Sequence, residues 1–404
     1  MTTAQQHMIL ATVPVLREAN VLLTTHFYKR MFQHNEELKH VFNMGNQQSG
    51  KQQTALAMTL LAYAENIENP AVLLPAINNI AHKHTSLQIQ PAQYAIVGHH
   101  LLASIAEVLG QAATPAILDA WAAAYHQLAT WMQGHEAAMY EQQAATPHSW
   151  TGWRTFTVRK KIAVSAEITS FYLYPADGGK VPRHQPGQFI SLRLFLPEIA
   201  LFQIRQYSIS SAPNNDYYRI SVKRETASQP DRNGMISNYL HDAVSENDNV
   251  EIAAPAGTFI LQDTTRPAMF ISGGVGLTPF MSMLETLLQQ EEIPQVIWMH
   301  GCREAAVHAF KAELIQWEKE HESLTQKVFY NKVTAADIRE GIHEGYPDIH
   351  QMNIAQHPAH MHYYLCGPGV FITKQYQDLL AAGISRDHIF YEEFGPQVLS
   401  LSTS

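Results

Sequence analysis

The sequence predicts a multidomain chain: an all-α unit over residues 1–145, a linker at 146–152, an antiparallel β-barrel over 153–264 and an α/β unit with a parallel sheet over 265–404. Three observations predict it. In the front part, Leu16, Ala19, Leu23, Phe27 and Met31 recur at steps of three and four, the period of one helical face, and strand-like alternation is scarce. From Trp153 the pattern changes to short runs of β-branched and aromatic residues between turn signals. From about Pro267, strand-like runs alternate with helical stretches, as a parallel sheet requires.

Each element follows in order. Residues 119–140, rich in Ala, Trp, Tyr and Met, suit a long buried helix. TPHSW at 146–150 places a proline among polar residues and marks the linker. The barrel strands are FTVRKKIAV, ITSFYLYP, GQFISLRLFL, RQYSIS and YYRISVKRE, separated by turns such as Asp177-Gly178-Gly179 and Pro186-Gly187, with one helix near 236–244. The last unit reads MFIS and a helix to Gln290, VIWMHG and a helix to Glu320, KVFYN, then HYYLCG and a helix to Ala382.

Composition excludes several classes. A length of 404 residues allows two to four domains at roughly 100–200 residues each. With 46% hydrophobic and 16% charged residues, the chain can bury packed cores. The net charge is −9 and neither the front part nor the rest is basic, so nucleic acid is not expected as a partner. Cys302 and Cys366 lack CxxC or zinc spacing, which fits a reducing cytoplasm. No basic segment followed by an apolar core opens the chain, and no apolar run reaches the ~18–20 residues that cross a bilayer. The expectation is a cytoplasmic monomer acting on small molecules.

Ile77, Ile80, Ala81 and His84 fall on one helical face, while His82 points elsewhere. An imidazole at the end of an apolar stripe can enter a pocket lined by that stripe, and such a histidine is the usual axial ligand of a globin haem. The segment KHTSLQIQPAQYAIVGHHLL, with LTTHFYKRMF and FNMGNQQSGKQQTALA, resembles flavohaemoglobins, which are globins fused to a flavin reductase. The resemblance covers essentially the whole chain in the same domain order. It implies a globin haem domain at 1–145, an FAD-binding β-barrel at 153–264 and a ferredoxin-reductase-like NAD(P)-binding domain at 265–404. It further implies that His84 is the iron ligand and that Tyr94 and Glu136 hydrogen-bond it. A carboxylate behind the imidazole raises its basicity and pushes electron density to the iron. Tyr28 and Gln52 match the distal donors, Phe42 the aromatic that wedges the haem and Leu56 the apolar residue over it. Lys83 matches a position that tunes haem and flavin potentials.

Arg205-Gln206-Tyr207-Ser208 is the RxYS signature of the ferredoxin-reductase superfamily. There the Arg neutralises flavin pyrophosphate, the Tyr packs on the ring system and the Ser bonds near N5. Gly234, Ile236 and Ser237, in NGMISN, open a helix whose free N–H groups suit the pyrophosphate. Phe189, in PGQF, stands where many relatives carry Tyr; stacking survives, but a phenol hydrogen bond would be lost. Gly273-Gly274-Val275-Gly276-Leu277-Thr278-Pro279 lies between a strand and a helix and resembles the phosphate turn of the nucleotide lobe. Cys366-Gly367-Pro368 matches its nicotinamide-side loop. Phe394-Gly395-Pro396 closes the C-terminal element whose aromatic covers the flavin, and Glu392 in that element joins the catalytic set. Glu393 replaces a small residue of some relatives. Arg303, after VIWMHG, is placed either near an adenosine phosphate or on the surface beside Glu304.

The implied activity is nitric oxide dioxygenase: NAD(P)H reduces FAD, FAD reduces the haem iron, and dioxygen held there converts nitric oxide to nitrate. The alternatives are an oxygen carrier or sensor with an attached reductase, and a haem-dependent reductase of lipid hydroperoxides.

Overall fold

The structure is a computed structural model that describes residues 1–226, 233–337, 342–352 and 354–395. Six helices form the front part: α1 (Thr3–His34), α2 (Met44–Gln48), α3 (Lys51–Glu65), α4 (Leu74–Ser86), α5 (Pro91–Leu109) and α6 (Pro115–Ala145). Thr2 and Gln5 exchange hydrogen bonds in a capping box that starts α1. The expected stripe of α1 is inside: Leu16, Leu23, Phe27 and Met31 are buried, with Ala19 half-buried. They pack with Leu60, Tyr63, Leu101 and Trp121 from α3, α5 and α6. Helix α6 spans the predicted 119–140 but buries one face only, through Ala120, Trp121, Ala124, Ala129, Met132 and Glu136.

The next strands are β1 (Arg154–Ala163), β2 (Ile168–Pro175), β3 (Phe189–Leu196), β4 (Leu201–Ser208), β5 (Tyr218–Lys223) and β6 (Asn249–Ile252). They form one 6-stranded sheet in the order β4-β3-β6-β1-β2-β5, and every pair is antiparallel. A bridge between Ile209 and Ile220 brings the two edges together. Helix α7 (Met235–Asp242) inserts Ile236 and Leu240 among Phe156, Phe171 and Ile220. Strand β6 was not foreseen, because NVEI offers only two apolar residues.

The last sheet is parallel throughout, in the order β10-β9-β8-β7-β11-β12. Its strands are β7 (Ala268–Gly273), β8 (Val296–Cys302), β9 (Leu324–Tyr330), β10 (Ile342–Glu344), β11 (His362–Gly367) and β12 (Ile389–Glu393). Helices α8 (Thr278–Leu288), α9 (Lys311–Glu320) and α10 (Gly369–Ala381) flank it. Phe270, Trp298 and Tyr364 pack on one face, and Met269, Ile271 and Met299 on the other, so the sheet is covered on both sides. The chain direction across the sheet reverses between β7 and β11, where open α/β sheets form a ligand crevice at the carboxyl ends. No single helix among the described residues is long and apolar enough to cross a membrane.

Candidate active site

One cavity of about 690 Å³ runs from the helical core to the carboxyl end of the parallel sheet. Phe27, Tyr28, Phe42, Leu56 and His84 line its inner end, and Phe189, Arg205, Tyr207, Val275 and Glu392 its outer end. Residues separated by hundreds of positions therefore share one space.

At the inner end, the buried stripe of α4 carries His84 to the cavity wall, as its spacing predicts. His84 Nδ1 lies 2.8 Å from Glu136 Oε1 and 3.0 Å from the Tyr94 hydroxyl. Tyr94 donates to the same carboxylate oxygen at 2.5 Å. A carboxylate only accepts, so His84 Nδ1 carries the proton and Nε2 keeps its lone pair for a metal. Glu136 is 4% exposed, so it is no solvated helix residue. Burial, then the bond to Glu136, holds the Tyr94 pKa far above that of a free phenol and keeps the hydroxyl a donor. Tyr125 in turn donates to the Tyr94 carbonyl at 2.6 Å. His82 faces the other way and accepts from the Gly257 amide at 3.2 Å.

Across the cavity, Tyr28 is 4% exposed and packs edge-on to Phe42, with ring centroids 5.8 Å apart. Burial pushes the Tyr28 pKa far up, while the Gln52 and Gln47 amides near its hydroxyl act the opposite way. Gln47 carried no signal in the sequence; α2 folds back on α3, where Gln53 donates to its carbonyl at 3.1 Å and to its Oε1 at 3.0 Å. The rest of the helical lining is apolar, through Leu56, Ile80, Val97 and Met132, as a planar hydrophobic cofactor needs.

At the outer end, RxYS lies on β4. Arg205 makes no ion pair among the described residues; its Nη1 donates to the Ile204 carbonyl at 2.7 Å. A half-buried guanidinium without a carboxylate suits an anionic ligand. The Ser208 hydroxyl is also buried without a partner. Gly234 and Ser237 meet so closely that a Cβ on Gly234 would lie 2.5 Å from Ser237 Oγ. A Cβ on Gly276 would lie 2.2 Å from the Cys366 carbonyl, so the two nucleotide-side loops touch through backbone. Of the Gly273–Pro279 turn, Val275 and Thr278 reach the cavity; Leu277 and Pro279 are buried in the core beside Phe280. Cys366 is fully buried.

The tail expected only as a covering element is strand β12, with Cys366 paired to Glu392 and Gly367 to Glu393. It brings Glu392, Phe394 and Gly395 to the cavity, whereas Pro396 lies outside the described residues. Burial raises the Glu392 carboxyl above the usual carboxylate range, against the pull of Lys83. One of its oxygens is buried without a hydrogen bond. Lys83, next to His84, donates to the Gly395 carbonyl at 2.8 Å. Gln206 donates to Ser86 Oγ at 2.8 Å, and Ser191 to the same oxygen at 2.9 Å. Helix α4 thus carries His84 and also docks on the β-rich unit and the C-terminal tail. Arg303 pairs with Glu167 of the β1–β2 turn at 2.5 Å, not with Glu304. Ser221, Lys223 and Glu225 also line the outer end; the strand YYRISVKRE gave no sign of it.

Residues 25–132 match the globin family, and residues 270–377 match the oxidoreductase NAD-binding domain family. The flavohemoprotein of Bordetella parapertussis is 47% identical over 393 residues, 96% of this chain and 97% of that protein. The chain belongs to the flavohemoprotein family. The Rhizobium meliloti flavohemoprotein is 44% identical over 403 residues, 99% of this chain and 100% of that protein. Flavohemoglobin from Malassezia yamatoensis, solved with bound FAD and heme, superposes with a TM-score of 0.84 at 27% identity, covering 98% of this chain and 100% of that one. The FAD/NAD-binding domain of nitric oxide dioxygenase from Vibrio cholerae superposes with a TM-score of 0.55 at 38% identity, covering 60% of this chain and 99% of that one. The expected architecture is therefore that of the family: a globin, then a β-rich FAD domain, then a parallel-sheet NAD-binding domain.

Proposed function

We infer that this flavohemoprotein is an NAD(P)H-dependent nitric oxide dioxygenase. The observation that carries this is the single cavity, which joins the His84 and Tyr28 walls to the Arg205–Ser208 strand. When bound, haem supplies a one-electron centre that takes diatomic gases, FAD turns a two-electron reductant into single electrons, and NAD(P)H supplies the hydride.

His84 Nε2 is placed to ligate the iron, and Glu136 and Tyr94 fix its tautomer and ring orientation. Tyr28 and Gln52 offer hydrogen bonds at the opposite wall, where negative charge would collect on a bound diatomic. Leu56 and Phe42 keep that wall dry. Arg205 and the α7 N-terminus at Gly234 answer a pyrophosphate, and Tyr207 and Phe189 present rings to a flavin. The nucleotide is assigned to the crevice at the carboxyl ends of β7 and β11, which Val275 and Thr278 of the Gly273–Pro279 turn line together with Glu392 and Phe394 of the tail, while Cys366–Pro368 backs that turn at Gly276. Ser86, Gln206 and Lys83 hold the two cofactor walls in register.

The domain limits 1–145, 146–152, 153–264 and 265–404 belong to this proposal, supported by the last helix ending at Ala145 and the first strand starting at Arg154. So do a cytoplasmic monomer and the lack of a nucleic-acid partner, supported by two free cysteines and a net charge of −9. The deciding experiment mixes the oxygenated, reduced chain with nitric oxide in a stopped-flow instrument and quantifies nitrate. Stoichiometric nitrate is expected. Oxygen release without nitrate would leave an oxygen carrier or sensor.

A further inference from the structure

The segment that brings Phe42 to the cavity is held by a side chain of another unit. Leu38, Val41, Phe42, Asn43 and Asn46 all line the cavity. They lie around the junction between a 3-10 turn at Glu36–His40 and the start of α2 at Met44. The ends of helical segments leave backbone carbonyls and amides without a partner of their own. The cap residue of α2, Asn43, accepts from the Asn46 amide at 3.1 Å and not from Met44. Strand β4, an edge of its sheet, runs beside this segment. Gln203, fully buried on β4, accepts from the Met44 amide on Oε1 at 3.2 Å and donates from Nε2 to the Lys39 carbonyl at 3.1 Å. Nε2 also donates to the Phe202 carbonyl at 2.8 Å. A backbone amide only donates and a carbonyl only accepts, so the reverse orientation of the Gln203 amide would meet none of the three. One residue earlier, the Phe202 amide donates to His40 Nδ1 at 3.0 Å. Two residues later, Arg205 lines the outer end of the cavity, and a Cβ on Gly45 of α2 would lie 3.7 Å from its Nη2.

We propose that Gln203 is a positioning residue for the Tyr28 wall: one side-chain amide from the Arg205–Ser208 strand clamps Lys39 and Met44, and so fixes Phe42 between them. Phe42 is the link to the site, since its ring meets Tyr28 at 5.8 Å and Phe32 at 5.4 Å between centroids. Gln203 does not line the cavity, so its contribution passes through the segment it holds. Leaving a buried amide and carbonyl unpaired is costly, and the segment would shift to satisfy them elsewhere. The geometry at the iron end is thereby completed by a residue outside the 25–132 stretch that matches the globin family. The same strand presents Arg205 and Tyr207 to the outer end, so one element sets both ends of the cavity.

The test uses the full-length chain loaded with haem and FAD, in its ferrous carbon monoxide form. The proposal rests on the haem reading of the cavity, and a wild-type chain that takes up no haem overturns both. Gln203→Met keeps the side-chain volume and removes both bonds. Hydrogen exchange at the Met44 amide should speed up about tenfold, the size of one lost hydrogen bond. The infrared C–O stretch should move toward its position in Phe42→Leu, and the oxygen dissociation rate should rise about three- to tenfold. In the Phe42→Leu background, Gln203→Met should add nothing to the stretch or the oxygen rate, because the ring it positions is gone. Faster exchange at Met44 with an unmoved stretch and oxygen rate overturns the proposal while leaving the dioxygenase reading intact, since Gln203 would then only dock the units. An equal effect with and without the Phe42 ring overturns it too. Gln203→Leu and Gln203→Glu carry the same comparison if Gln203→Met folds poorly.

Discussion

The two walls of the haem end are built on opposite principles. On the His84 side the groups behind the imidazole bond one another: Glu136 takes bonds from both His84 and Tyr94, and Tyr125 anchors the Tyr94 backbone. On the Tyr28 side, an amide nitrogen of Gln47 is buried without a bond. A satisfied buried network is rigid and holds one arrangement, whereas an unsatisfied group is costly until something arrives. The outer end repeats the contrast, since α4 docks through bonded Ser86 and Lys83 while Ser208 and one Glu392 oxygen are left without partners.

The largest effect should come from removing the centre of the satisfied wall. His84→Ala is expected to lose the His-ligated visible spectrum and most of its haem, with FAD content near that of the wild type. Full haem with an unchanged spectrum would break the comparison, because no other side chain on that wall is held as His84 is. On the opposite wall, Tyr28→Phe keeps the ring and removes the hydroxyl. A hydrogen bond to a charged group is worth roughly 1.5–3 kcal/mol, so oxygen release should speed up about ten- to a hundredfold. Flash photolysis or stopped-flow exchange measures that rate, and an unaltered value would make Tyr28 a packing residue.

Glu136→Gln sharpens the contrast further. It preserves shape while removing the charge behind His84, so the haem midpoint potential should rise and nitric oxide turnover should fall about tenfold. A spectroelectrochemical titration that finds the potential in place would show that Glu136 only orients the ring. The smallest effect concerns Glu392. Its folded pKa is raised by burial, so its contribution to stability is complete below the ordinary carboxylate pKa and is lost as pH rises through the folded value. Thermal unfolding of wild type should therefore weaken from acid toward neutral pH more than that of Glu392→Gln. Parallel curves would mean that Lys83 compensates the charge fully.

Much of this was legible beforehand where a residue's role depends on its neighbours in sequence. The stripe ending at His84 is a helical period, and RQYS and GGVGLTP are strand and turn signals whose chemistry is local. Glu136 and Tyr28 needed the family resemblance, because a carboxylate on α6 and a phenol on α1 look like any surface or core residue. Strands β6, β10 and β12 escaped notice because short segments carry too few apolar residues for a period to show. As a surface residue Arg303 was expected to pair with Glu304, but a turn from the preceding unit supplies Glu167 instead.

The sequence by itself determined the order of the three units, the faces their helices and strands bury and the chemistry of their turns, since all of these follow from residue type and short spacing. Only the tertiary structure decided that the His84 and Tyr28 walls and the Arg205–Ser208 strand share one cavity, and that α4 carries His84 and also the contacts of Lys83 and Ser86 with the other units. Those arrangements depend on side chains brought together from distant segments, and no local period encodes the distance between two segments once each is packed.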